Sequence, residues 1–142
     1  MICICITTQF SGSLQSAVTA REMILEDHPE AKIHVIDSRI NTVLQGIYVL
    51  EAVRIRDAGW DYEKAITRLE EIRDTGRIFF TVGDMEYLKH GGRIGKVAGV
   101  AGSLLGIRPV ITLKQGEIFP SGIGRSRKGT TQKAIELLVS YL

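Results

Sequence analysis

Four hydroxyl side chains lie within seven residues near the start of the chain, at Thr7, Thr8, Ser11 and Ser13. Gly12 lies among them. Hydroxyl groups and free backbone N–H groups donate hydrogen bonds to anions, and a glycine lets a ligand approach the backbone closely. The segment therefore predicts a turn that binds a carboxylate or a phosphate. A helix cap at Ser11 or Gly12, without any ligand, is the alternative that these residues leave open.

The same hydroxyl groups do not fit the pattern of a catalytic serine. The motif Gly-x-Ser-x-Gly is absent around Ser11. A catalytic serine also needs a histidine nearby, and of the three histidines only His90, beside the glycine-rich turn, is near a candidate site. His, Cys, Asp and Glu residues do not recur at the spacing of metal ligands. The residues therefore predict no Ser–His catalysis, no metal site and no other cofactor, and an enzyme acting on a phosphate-bearing ligand is kept as an alternative.

A glycine-rich stretch at residues 91–106 contains a second residue suited to anions, Arg93. The stretch is not a Walker A phosphate loop, because the Gly-Lys pair at 95–96 is followed by Val97 instead of Ser or Thr. It predicts a loop that presents Arg93, followed by a helix of small apolar residues at 97–105.

Charge is divided unevenly along the chain, although the net charge of the whole is only +2. Residues 1–88 have a net charge of −5, whereas residues 89–142 have a net charge of +7. The basic cluster at 125–128 lacks the interleaved aromatic side chains that favour nucleic-acid binding. We expect a solvated basic face and no nucleic-acid partner, with a nucleic-acid-binding module kept as an alternative.

The two cysteines, Cys3 and Cys5, are separated by one residue. This spacing fits neither a zinc knuckle nor a Cys-x-x-Cys redox pair. We interpret them as small, buried apolar side chains of a protein in a reducing compartment.

The elements that position the first turn form a strand–helix–strand–helix–helix order. An apolar run at 1–6 is typical of a strand covered on both faces, and helical spacing follows over 13–27. A strand at 32–36, a helix at 42–58 and a helix capped by Asp61 complete the series. This order predicts a parallel α/β sheet, whose strand ends are where such folds bind ligands. Two strands are too few for a stable sheet, so this half is expected to be incomplete.

Strands dominate the remainder of the chain. Residues 77–82 and 107–113 predict strands, and Pro109 favours an edge position or a strand start. The turn signal Gln115-Gly116 predicts a hairpin whose second strand is at 117–120, and a helix follows Ser126. The fold class is therefore α/β, with a Rossmann-like parallel-sheet part at residues 1–76 followed by the start of a second α/β lobe at 77–142. Exposed sheet edges predict self-association into a homo-oligomer.

Length and composition agree with one or two small globular lobes. The chain has 142 residues, of which 44% are hydrophobic and 24% charged. No run approaches the roughly 20 apolar residues that span a bilayer, and the start does not resemble a secretory signal. We expect no membrane span and a cytoplasmic location.

Five segments in order resemble motifs of the bacterial DegV family. SGSLQSA at 11–17 resembles the family's SGTYQSA, and VIDS at 35–38 resembles V-x-DS. YLKHGGRI at 87–94 is similar to YLKKGGRI, LGIRPV at 105–110 to LLxIKPIL, and RSRK at 125–128 to R-x-R-K-K. The resemblance extends across the whole chain.

The resemblance implies a fatty-acid-binding protein of two α/β lobes, some members of which present the acid to a fatty-acid kinase. Ser11 matches the serine that contacts the carboxylate, Gly12 matches its neighbour, and Ser13 replaces a threonine while keeping the hydroxyl. Arg93 matches the arginine of GGRI, near the head group and the kinase. Residues 97–105 would line the tunnel for the acyl tail.

Two departures limit what the resemblance implies. The family's VTDS strand and TSQP loop, which supplies a second hydroxyl, are absent, and the family continues beyond residue 142 with a histidine near the carboxyl group. The chain is therefore expected to be a central, truncated fragment of the family. A remnant that binds no ligand is the alternative to a fatty-acid-binding protein.

Overall fold

The computed structural model describes residues 1–101 and 108–142. They form two compact units, Met1–Gly76 and Arg77–Leu142. Within the described residues, no helix is both long enough and apolar enough to cross a bilayer.

The first unit has the strand and helix order predicted from the sequence. Its elements are β1 (Ile2–Cys5), α1 (Ser13–Asp27), β2 (His34–Asp37), α2 (Thr42–Asp57) and α3 (Tyr62–Ile72). β1 and β2 form a two-stranded parallel sheet, with Ile2 opposite His34 and Cys5 opposite Asp37. Parallel pairing places the carboxyl ends of both strands at one edge, so the loops before α1 and α2 are neighbours.

Helix α3 contributes a fully buried side chain to the core of the unit, Leu69, which is 0% exposed. The predicted cap is confirmed, since Oδ1 of Asp61 accepts hydrogen bonds from the backbone N–H groups of Glu63 and Lys64 at 3.0 and 3.4 Å. These bonds fix the start of the helix and direct its apolar side toward the core.

The expectation that β1 is covered on both faces is wrong for this unit. Of the strand's four residues only Cys5 is buried. Ile2 and Ile4 line an open apolar cleft of about 460 Å³, together with side chains of α2 and α3 and Trp60. A continuous apolar run shows that both faces of a strand are hydrophobic, but it does not identify what covers each of them.

A buried tyrosine joins α2 to α3. The Tyr48 hydroxyl donates a hydrogen bond to the backbone carbonyl of Leu69 at 2.6 Å, and the side chain is only 5% exposed. Burial raises the pKa of Tyr48 from 10.0 to about 12, since the ionised form would lose its hydration. The positive charge of Arg73 opposes this rise, and the nearby acidic side chains of Glu70 and Asp74 add to it.

This shift predicts a loss of stability at high pH. Because the pKa of Tyr48 is raised in the folded state, its contribution is present below pH 10 and is lost as the pH rises towards 12. The free energy of unfolding of wild type, relative to Tyr48→Phe, should fall by roughly 2–3 kcal/mol over this interval. Urea unfolding of both proteins from pH 8 to 12 measures the difference. Tyr87→Phe, at an exposed position, is the control and should keep the wild-type profile.

The second unit is an antiparallel sheet with helices. Its described elements are β3 (Ile78–Thr81), α4 (Glu86–His90), a 3-10 turn (Gly95–Val97), α5 (Ala98–Ala101), β4 (Arg108–Lys114), β5 (Glu117–Gly124) and α6 (Arg127–Tyr141). The strand order is β3-β4-β5. The predicted helix at 97–105 begins within the described residues as α5, and its part at 102–105 lies outside them.

The sheet clarifies two features of the sequence. β4 is the central strand, so an edge position for Pro109 is wrong and a strand start is confirmed: β3 pairs only with Val110–Leu113. β5 ends at Gly124, beyond the predicted end at Pro120. Its pairing with β4 shifts in the middle, since Ile111 pairs with Pro120 but the preceding residue, Val110, pairs with Gly122. One extra residue therefore bulges from β5, and the strand continues after the proline.

Glycines occupy two positions in this unit where the backbone conformation or the packing leaves little room for a side chain. The predicted hairpin turn is confirmed, and its residues Gln115 and Gly116 both have positive φ, at 51° and 85°. At the other end of β5, Gly124 lies against the first turn of α6, where a Cβ atom would be 2.3 Å from Oγ1 of Thr130 and 2.7 Å from its backbone N. Thr130 is 0% exposed, so the start of α6 is packed directly on the strand.

Candidate ligand-binding site

The loops that follow β1 and β2 are joined by backbone hydrogen bonds. The backbone N–H of Thr7 donates to the carbonyl of Ile40 at 3.1 Å, and that of Ser38 donates to the carbonyl of Cys5 at 3.0 Å. Thr7 and Ser38 are 1% and 0% exposed. The two loops therefore form one ordered edge beside the N-terminus of α1.

Asp37 strengthens this connection with its carboxylate. Oδ2 accepts a hydrogen bond from the Thr8 hydroxyl at 3.2 Å, and Oδ1 accepts one from the backbone N–H of Arg39 at 2.8 Å. Arg39 has a φ of 56°, a conformation that is uncommon for residues with a side chain. Asp37 thus holds both loops, a positioning role that the sequence analysis did not assign, although its place at the end of β2 was visible.

Ser11, Gly12 and Ser13 lie together at the start of α1. Gly12 is the N-cap residue of α1, so the cap that the sequence analysis kept as an alternative is present. Oγ of Ser11 accepts a hydrogen bond from the backbone N–H of Ser13 at 3.1 Å. A hydroxyl that accepts this bond keeps its own proton to donate. The bond therefore fixes the position of a donor oxygen at the N-terminus of a fifteen-residue helix.

Gly12 leaves open space at this position. Its φ of −77° is accessible to any residue, and an added Cβ would meet no other atom within 4 Å. The backbone carbonyl of Gly12 accepts the first helical hydrogen bond, from the N–H of Ser16 at 3.1 Å. The first turn of α1 thus combines hydroxyl and N–H donors with room for a small anionic group.

Arg93 belongs to the second unit, in the loop after α4. Its backbone N–H donates to the carbonyl of Leu88 at 3.0 Å, and its guanidinium Nη1 donates to the carbonyl of Gly91. Gly92 has a φ of 69°, which allows this tight turn. The loop therefore holds an exposed arginine close to its own backbone, and the presentation of Arg93 to a ligand stays a prediction.

The structure also bears on the predictions about metal ligands and about the basic cluster at 125–128. Among the described residues, no group of three or more His, Cys, Asp or Glu side chains could hold a metal ion. In the basic cluster, Ser126 caps α6 by accepting a hydrogen bond from the backbone N–H of Gly129 at 3.1 Å. Arg127 and Lys128 are exposed in the first turn of that helix.

A family model and curated relatives match almost the whole chain. The model, described as an uncharacterised protein of the DegV family, matches residues 1–141. A DegV domain-containing protein of Clostridium perfringens is 32% identical over 133 residues, which cover 94% of this chain and 47% of that protein. The chain thus spans about half the length of the curated relatives it matches.

Solved structures of similar fold include proteins that bind fatty acids. A stearic-acid-binding protein from Eubacterium ventriosum is 46% identical with a TM-score of 0.93, over 99% of this chain and 48% of its own. The Streptococcus pneumoniae Fatty Acid Kinase (Fak) B3 protein, loaded with linoleic acid, is 30% identical with a TM-score of 0.86, over 98% of this chain and 50% of its own. Both similarities extend over the two units described above.

Proposed function

The chain belongs to the DegV family, and on this basis we propose that it binds a long-chain fatty acid whose carboxylate lies at the Ser11–Gly12–Ser13 turn. The proposal rests on the geometry of this turn together with the similarity of the chain to a fatty-acid-binding protein. An ordered donor turn with room for an anion occurs in a chain that is 46% identical to a stearic-acid-binding protein.

The head group would be held by hydrogen bonds to the turn. A carboxylate removed from water needs hydrogen-bond partners, and the Ser11 hydroxyl and the N–H groups of the first turn of α1 can supply them. The positive end of the helix dipole favours the same charge. Asp37 does not need to contact the ligand, since its oxygens already hold Thr8 and the backbone of Arg39.

The acyl tail would supply most of the affinity. Each buried methylene contributes roughly 0.8 kcal/mol, so a long chain outweighs a few head-group hydrogen bonds. We assign the tail to the second unit and Arg93 to the recognition of the head group. In this proposal residues 1–76 and 77–142 are parts of two lobes, and exposed sheet edges lead to self-association.

A non-catalytic role follows from the same proposal. The chain would hold the fatty acid and present it to a fatty-acid kinase, with the exposed Arg93 loop as part of the surface offered to that partner. The similarity to the Streptococcus pneumoniae Fatty Acid Kinase (Fak) B3 protein supports this role.

Native mass spectrometry of the purified chain, followed by lipid extraction, tests the proposal. We expect a co-purified fatty acid in wild type and about tenfold weaker binding in Ser11→Ala, because a hydrogen bond to a charged group is worth about 1.5–3 kcal/mol. Ser11→Thr keeps the hydroxyl and should retain binding. Thr19→Ala, which removes an exposed hydroxyl about two turns into α1, is the matched control.

Loss of the Ser11 oxygen also removes the hydrogen bond from the backbone N–H of Ser13, so circular dichroism must first show that Ser11→Ala is folded. A folded wild type that neither co-purifies with a fatty acid nor binds one added from solution would contradict the proposal. Binding that Ser11→Ala leaves unchanged would place the carboxylate elsewhere.

A further inference from the structure

Cys3 and Cys5 form a close pair of thiols on β1. They are the two cysteines of the chain, and because side chains alternate along a strand they lie on the same face. Their Sγ atoms are 3.9 Å apart. The opposite face carries Ile2 and Ile4, which line the apolar cleft. The sequence analysis treated the cysteines as separate apolar side chains, whereas the structure places the two sulfurs in contact.

The two thiols differ in their access to solvent. Cys5 is buried, at 8% exposure, whereas Cys3 is half-buried. Burial raises the pKa of Cys5, and the hydrogen bond and charge of Cys3 add to the rise. A hydrogen bond to Ser13 lowers it, and the charge of Asp37 raises it. Cys5 is therefore held as a protonated, sheltered thiol next to a more accessible one.

We propose that Cys3 and Cys5 are a redox-active dithiol, which a hydroperoxide converts into an intramolecular disulfide. The thiol pair adjoins the proposed carboxylate turn, since the side chain of Ser13 hydrogen-bonds to Cys5. The reaction itself needs only the two sulfur atoms and no bound fatty acid. Cys3 is the residue that reacts with the peroxide, and Cys5 is the residue that resolves the product.

The reaction takes place in two steps. The Cys3 sulfur attacks one oxygen of the hydroperoxide, the O–O bond breaks, and the products are Cys3 sulfenic acid and an alcohol, which receives the thiol proton. The Cys5 sulfur then attacks Sγ of Cys3, the S–O bond breaks, and the hydroxide leaves as water with the Cys5 proton. Two thiols thereby lose two electrons, and the hydroperoxide is reduced to an alcohol and water.

The bond requires a local change in the backbone of β1. Residues two apart on a strand have Cα atoms about 6.6 Å apart, at roughly 3.3 Å per residue. Disulfides join Cα atoms separated by roughly 4.4–6.8 Å. Rotation of the side chains alone does not bring the Sγ atoms from 3.9 Å to bonding distance, because a disulfide also needs Cβ atoms roughly 3.5–4.5 Å apart. The bond therefore bends β1 at Ile4, and a disulfide strained in this way is readily reduced again.

Intact-mass spectrometry of the reduced chain, treated with a slight excess of hydrogen peroxide, tests the inference. We expect a monomer lighter by two hydrogen atoms, resistant to iodoacetamide, and restored to its original mass by dithiothreitol. Since the chain has only two cysteines, this change in a monomer identifies the Cys3–Cys5 bond without further mapping.

Two variants separate the roles of the thiols. Cys5→Ser should stop at the sulfenic acid, seen as one added oxygen and trapped by dimedone. Cys3→Ser should react at least tenfold more slowly than wild type, because the remaining thiol is buried. Disulfide-linked dimers in place of the lighter monomer, or sulfinic acid without a disulfide, would overturn the inference. The wild-type measurement decides the matter even if a variant fails to fold.

Discussion

Gly124→Ala is expected to destabilise the second unit by about 3 kcal/mol or more, the upper end of what overpacking costs. The new methyl group would lie 2.3 Å from Oγ1 of Thr130, 2.7 Å from its backbone N and 2.8 Å from its Cα. Two of these three atoms belong to the backbone, so a change of side-chain rotamer cannot remove the overlap. The first turn of α6 would have to move away from β5.

Hydrogen exchange followed by mass spectrometry measures this effect in each unit separately. Peptides from residues 108–142 should exchange faster in Gly124→Ala, and a loss of 3 kcal/mol corresponds to a fall of more than about 10 °C in the melting temperature of a unit of this size. Gly83→Ala is the matched control, since a Cβ at Gly83 meets nothing within 4 Å.

A double variant identifies the atoms responsible. Thr130→Ala removes the hydroxyl but leaves the backbone atoms in place, so it should not rescue Gly124→Ala. Recovery of wild-type stability in the double variant would show that only the hydroxyl of Thr130 opposes the methyl group. A Gly124→Ala protein as stable as wild type would contradict the packing of α6 on β5.

Gly12→Ala is expected to weaken fatty-acid binding by ten- to a hundredfold while leaving the fold intact. The structure has room for the methyl group, and the φ of −77° suits alanine. Under the proposed function that same room holds the ligand carboxylate. The methyl group would then block hydrogen bonds to a charged group, which are worth about 1.5–3 kcal/mol each.

Displacement of a fluorescent fatty acid measures the affinity, and urea unfolding measures the stability. Alanine is a poorer N-cap than glycine, so a small loss of stability, below about 1 kcal/mol, is expected. Gly46→Ala is the control, because it adds a methyl group within α2 where nothing lies within 4 Å, and its binding should equal that of wild type. Unchanged affinity in Gly12→Ala would contradict a carboxylate at this turn.

Local signals in the sequence predicted local structure well. Helical spacing gave the bounds of α1, and Asp61 and Ser126 cap their helices as side chains of this type do. The Gln115-Gly116 turn likewise depends on two adjacent residues. Each of these features is determined by interactions within a few positions along the chain.

Contacts between distant segments were not predictable in this way. The bond from Thr8 to Asp37 joins residues 29 positions apart and depends on the register of β1 against β2. The bulge in β5 and the contact between Gly124 and Thr130 depend on how strands and helices meet in three dimensions. The sequence located the turn at Ser11–Ser13 and the loop of Arg93, but the roles of these residues stay predictions.

The turn at Gln115 and Gly116 also orders the events of folding in time. Two residues with positive φ close the β4–β5 hairpin between chain neighbours, and hairpins form in roughly 1–10 μs. β1 with β2, and β3 with β4, instead pair residues about thirty positions apart, which requires the closure of a much longer loop. We therefore expect the hairpin to close before β1 pairs with β2 during refolding. That interval is when neighbouring chains can pair with the edges of β1 and β2 and aggregate.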